Sequence, residues 1–124
     1  MPSSFELGVE YNAQHDAYIV YPCCNITSEE DCKVWLDAYI RLFAPLRKRI
    51  DCVIILSMFS VAPEIVDVWA KYRVRLYREI IRFSVRVETD TSMLATSSRQ
   101  LATGIATDIP TALSQLVELR AIED

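Results

Sequence analysis

The sequence predicts an α/β protein: one domain over residues 1–124, built on a mixed sheet of four to five strands with helices packed on it. Three observations lead there. Segments with a two-residue apolar period alternate with segments of helical period, the order that gives parallel pairs joined by crossovers. Val53, Ile54, Ile55 and Leu56 form an unbroken apolar run, as in a central strand covered on both faces. The composition, 52% apolar and 24% charged, is that of a globular chain rather than a disordered one.

The elements follow in order. Residues 5–11, Phe-Glu-Leu-Gly-Val-Glu-Tyr, alternate apolar and polar and read as a half-buried strand. After the polar break at 12–16, Ala17-Tyr18-Ile19-Val20-Tyr21 resumes as a second strand, which Pro22 is expected to end. The short break makes the two a hairpin. Thr27 with Glu30 three residues on is a capping-box pattern. Cys32, Trp35, Tyr39, Leu42, Phe43 and Leu46 then recur at helical spacing, and Pro45 shortens the last turn. Strand three is the apolar run. A second helix starts near Pro63, with Ile65, Val68, Trp69, Tyr72, Leu76 and Ile80 as its apolar stripe.

Residues 81–87, "IRFSVRV", alternate again. Phe83, Val85 and Val87 are expected on one face, and Arg82, Ser84 and Arg86 on the other. Thr89-Asp90-Thr91 opens a third helix that Gly104 ends; Ile105–Thr107 is a short edge strand. Asp108 caps a last helix with Pro110 in its first turn. The predicted order is β-β-α-β-α-β-α-(β)-α.

Bulk properties remove several function classes. A formal charge of −4 disfavours nucleic acid as a partner. No apolar stretch approaches the roughly 20 residues of a membrane span, and the N-terminus lacks the pattern of a secretory signal, so the cytoplasm is the expected compartment. There the sequon at Asn25 is a chance match, and cysteines 23, 24, 32 and 52 are expected as thiols. No C-x-x-C occurs and the single His15 has no cysteine at ligand spacing, so no metal is expected. Two glycines, Gly8 and Gly104, cannot build a phosphate loop.

The chain resembles the STAS fold of anti-sigma factor antagonists and sulfate-transporter cytoplasmic tails, and more closely the SpoIIAA-like bacterial proteins of that superfamily. The resemblance is carried by the opening hairpin, by "VIILSMFSVAPEIVDVW", by "IRFSVRV" and by "TDIPTALSQL". Phosphorylatable members carry an Asp-Ser-Ser/Thr-Gly motif after the third strand. Here the matching stretch begins Ser57-Met58-Phe59-Ser60 and lacks the aspartate and glycine, so phosphoryl switching is not implied. Ser60 is expected to cap the second helix or form a turn, in preference to accepting phosphate.

Three surfaces are candidate sites. Ser57, Phe59, Ser60, Glu88, Thr89 and Asp90 would gather at the carboxyl ends of the strands, where open α/β sheets bind ligands. Lys71, Arg75 and Arg78 form a basic face on the second helix, suited to an acidic partner or polar head. Aromatic residues beyond the needs of one core layer offer a dimer seam or lipid pocket. His15, in the hairpin turn, is expected to be exposed and idle. The expected function is a non-catalytic cytoplasmic binding or regulatory module. It would act through protein–protein contact as a homodimer or with a partner protein, without cofactor, metal or catalytic residues. The alternative is a small ligand or lipid held in an apolar pocket between sheet and helices, with the basic face near its head. A third reading, a thiol enzyme at Cys23-Cys24, requires a lowered thiol pKa.

Overall fold

A computed structural model describes residues 5–87 and 105–123. Strand β1 (Glu6–Asn12) pairs antiparallel with β2 (Ala17–Ile26). Helix α1 (Glu29–Phe43) leads to β3 (Ile50–Ile55), which lies parallel to β2. A short strand, β4 (Phe59–Val61), precedes helix α2 (Val66–Glu79). Then come β5 (Ile81–Val87), parallel to β3, and β6 (Ile105–Ala106), parallel to β5. The chain closes on α3 (Ile109–Glu123). The sheet order is β1-β2-β3-β5-β6, with β4 paired to the far end of β2. This is the predicted mixed α/β sheet, with β3 in its middle, as its apolar run demanded.

Both crossovers, through α1 and α2, advance across the sheet in the same direction, so both helices pack on one face. Trp35, Leu36, Tyr39 and Phe43 of α1 and Trp69 and Leu76 of α2 are buried there against Val20, Cys52, Ile54 and Ile81. The other face buries Ile19, Val53, Val85 and Val87 under Ala112, Leu113 and Leu116 of α3.

Four local expectations are corrected. Pro22 does not end β2: it falls between Val20, the last residue paired with β3, and Cys24, the first paired with β4. No parallel partner faces it there, so its missing N–H is tolerated. The N-cap of α1 is Ser28, not Thr27: Ser28 Oγ accepts the Asp31 N–H at 3.2 Å, while Asp31 Oδ2 accepts from the Thr27 N–H and hydroxyl. Ser60 caps no helix. It lies in β4 and donates to Asn25 Oδ1 at 2.6 Å, while α2 is entered through the 3₁₀ turn Pro63–Ile65. Arg82 does not share a face with Arg86. The register of β3 against β5 passes from Ile50–Ile81 to Asp51–Phe83, so Arg82 is an extra, bulged residue that turns to Asp51. The expected third helix, with Thr89 and Gly104, lies outside the described residues.

Candidate functional site

The carboxyl ends of β3 and β5, under α1 and α2, enclose a small pocket. Ile54 and Leu56 supply its floor from β3 and the residue after it, Arg86 comes from β5, and Phe59 from β4 closes one side. Trp35 and Tyr39 descend from α1; Trp69, Arg73, Leu76 and Tyr77 come from α2. The helix spacing explains the set: 69, 73, 76, 77 and 80 share one face at 3.6 residues per turn. The space is about 20 Å³, enough for a group the size of a water molecule.

Its walls are aromatic. Trp35 lies 5.5 Å from Trp69 between ring centroids, 5.3 Å from Tyr39 and 6.5 Å from Phe59. These tilted and edge-on arrangements are the favoured ones for aromatic pairs. Into this apolar space come two guanidinium groups, Arg73 and Arg86, each 3% exposed. Arg73 sits between Trp69 and Tyr77, its Cζ 5.4 Å and 5.3 Å from their centroids. The Tyr77 hydroxyl is hydrogen-bonded to Ser84 Oγ on β5. Trp69 Nε1 is buried and meets no acceptor among the described residues. The pocket thus combines a flat apolar wall with cationic and N–H donors at one end.

Of the predicted rim, Phe59 lines this pocket, whereas Ser57 is exposed and Ser60 is committed to Asn25. Glu88, Thr89 and Asp90 lie outside the described residues. Lys71, Arg75 and Arg78 are all exposed on α2, and Arg75 is paired with Glu79 at 2.7 Å. Sequence reasoning put Trp35, Tyr39 and Trp69 on apolar helix stripes and counted Arg73 and Arg86 within a basic stretch from Lys71 to Arg86, whereas both arginines are buried. A signal existed: residue 73 falls between Trp69 and Leu76 on the buried stripe, where an arginine is out of place.

The other titratable groups are arranged for structure. Burial first, then Asp31, pushes the Cys24 thiol up to about 12, and burial with Glu29 and Asp31 pushes Cys32 to about 11. Cys52 is raised further still by burial. These three stay protonated at neutral pH, which works against a thiol enzyme at the Cys23-Cys24 pair. His15 is half-buried, not exposed: its N–H donates to Asn12 Oδ1 at 2.9 Å, and its carbonyl accepts from Arg120 of α3. Among the described residues no group of His, Cys, Asp and Glu is gathered for a metal, and no helix is long and apolar enough to cross a membrane.

A mixed sheet crossed twice on one face, with a pocket at the carboxyl ends of its central parallel strands, defines a SpoIIAA-like α/β module. A solved structure that it is similar to is an uncharacterized protein of the DUF3478 family with a SpoIIAA-like fold, from Shewanella loihica PV-4. The TM-score is 0.58 at 12% identity, over 92% of this chain and 94% of that one. The likeness is one of fold. No family model matches the chain, and no curated protein matches it.

Proposed function

We propose that the chain is a non-catalytic binding module whose site is the aromatic pocket between the sheet and helices α1 and α2. One observation carries this reading. Donor groups from α2 and β5 converge inside an otherwise apolar lining at the carboxyl ends of parallel strands, where α/β sheets take ligands. Phe59 and Leu56 frame the space from the β3–β4 connection. β4 is the lightest element there, paired with β2 only over Cys24–Ile26. Its displacement would enlarge the space at the smallest cost in ladder hydrogen bonds.

Native mass spectrometry of gently purified protein tests the reading. A small molecule retained on the chain, and lost on changing Trp35→Ala, is the expected result. A bare chain that also fails to take up small apolar additives would overturn it.

A second reading, self-association, is favoured by Leu42 and Leu46. Leu42 lies in the last turn of α1 and Leu46 in the 3₁₀ turn that follows it, and they are 44% and 41% exposed. A homodimer in the same spectra, lost in a Leu42→Glu/Leu46→Glu variant, would support it.

A further inference from the structure

We propose that the outer edge of β1 is the seam of a two-fold homodimer, in which β1 of one copy pairs antiparallel with β1 of the other about Val9; this rests on the self-association reading above and gives it a backbone interface separate from Leu42 and Leu46. β1 ends the sheet order, and among the described residues no strand lies against its other side. In an antiparallel strand alternate residues turn both N–H and C=O away from the ladder, so that edge carries a row of donors and acceptors. Edges are ordinarily blunted by shortness, proline, lysine or a bulge. β1 has none of these: it is seven residues long, ELGVEYN, and pairs with β2 from Glu6 to Asn12 without a break in register.

Its side chains suit a second copy of themselves. Leu7 and Val9 are half-buried against the core under α1, and Tyr11, 50% exposed with its ring 4.9 Å from that of Tyr18, continues their row. Glu6, Gly8 and Glu10 are exposed and alternate with that row, on the opposite face. Registers that keep the apolar rows of two copies on one face are centred on a residue. Centring on Gly8 sets Glu6 against Glu10, and centring on Glu10 sets it against itself; both oppose like charges. Centring on Leu7 or Tyr11 overlaps three residues of the strand, and centring at its ends fewer. Centring on Val9 overlaps all seven, sets Leu7 against Tyr11, and places Glu10 opposite Gly8 and Glu6 opposite Asn12. Glu10 of the two copies is then diagonal, about 7–8 Å apart, a repulsion that salt screens. The acids thus choose the register instead of closing the edge. The interface is the same patch on both copies and closes at two, with one sheet running through both.

Gly8 is the position that reads this pairing. Its φ lies outside the left-handed region, and a side chain built there meets Tyr21 Cβ at 3.5 Å, an ordinary contact, so Gly8→Lys and Gly8→Glu both keep the fold. Two-fold symmetry sets residue 8 against Glu10 twice. Dimer dissociation constants from sedimentation equilibrium should therefore fall about tenfold in Gly8→Lys and rise about tenfold in Gly8→Glu, the worth of two cross-strand charge pairs. In the parent, amide exchange at alternate residues of β1 should slow as protein concentration rises, which reads the backbone seam without any substitution. A dimer that neither Gly8 change alters, or that both shift in the same direction, would overturn the edge seam; its loss in Leu42→Glu/Leu46→Glu would leave self-association standing on that patch. A parent that stays monomeric at every concentration would overturn both readings.

Discussion

Asp51 is an acid in the second position of the central strand, and its burial depends on two arginines. Arg82 meets it with Nε to Oδ1 at 3.0 Å and Nη2 to Oδ2 at 2.7 Å; Arg120 adds Nε to Oδ2 at 2.7 Å. Burial alone would raise its pKa. The hydrogen bonds and charges of Arg82 and Arg120 outweigh it and hold the carboxyl below the usual range. Protons therefore bind the unfolded chain first. The stabilisation is fully present above the ordinary carboxylate pKa, about 4, and is lost as pH falls through the depressed native value. Asp51→Ala is expected to cost about 3 kcal/mol at pH 7, the low end for a broken buried pair because both arginines are partly exposed. Urea midpoints measured from pH 7 to pH 3 should fall less steeply in Asp51→Asn than in the parent. The sequence shows the apolar run from Val53 but neither Asp51 as part of its strand nor the partners of that acid, because Arg120 is 69 residues away and only the fold unites them.

At the scale of elements, the local signals were legible where they were dense. Strand β5 and the cap Asp108, whose Oδ1 accepts the Thr111 N–H at 2.8 Å, lie where their patterns place them. The start of α1 shifted by one residue, since Thr27 and Ser28 are both capping residues and only packing decides between them. Ser28→Ala is expected to cost about 1 kcal/mol by denaturant unfolding, because it strips the N-cap acceptor from Asp31 N–H. An unchanged midpoint would mean that Thr27 carries the cap. Strand β4 escaped notice because three residues, Phe59–Val61, are too few to show a period. It exists through its partners: its pairing with Cys24–Ile26 supplies what its own sequence does not announce. Pro22 misled for a similar reason. Proline breaks a strand only where a ladder needs its N–H, and the sequence does not show where that is.

For the whole molecule, the sheet separates two cores, and the larger one carries both tryptophans. Arg120 ties the faces to the hairpin by donating to the carbonyls of His15 and Asp16 while it pairs with Asp51. The two sides should therefore unfold together. Leu116→Ala, at a fully buried position of α3, is expected to cost about 2–5 kcal/mol. Its midpoint by tryptophan fluorescence, which reports the opposite face, should fall as far as its midpoint by far-ultraviolet circular dichroism. Separated midpoints would show α3 melting alone.

The bulge at Arg82 sets the phase of everything after it in β5. Ile81 faces α1 and α2, and so do Ser84 and Arg86, three and five residues later; unbroken alternation would have put Ile81 and Ser84 on opposite sides. The same residues paired without the bulge would carry Arg86 to the face beneath α3 and deliver Val85 to the aromatic chamber. Which side chain of β5 reaches the chamber is thus a matter of parity, set by a single surplus residue absorbed at the strand's start.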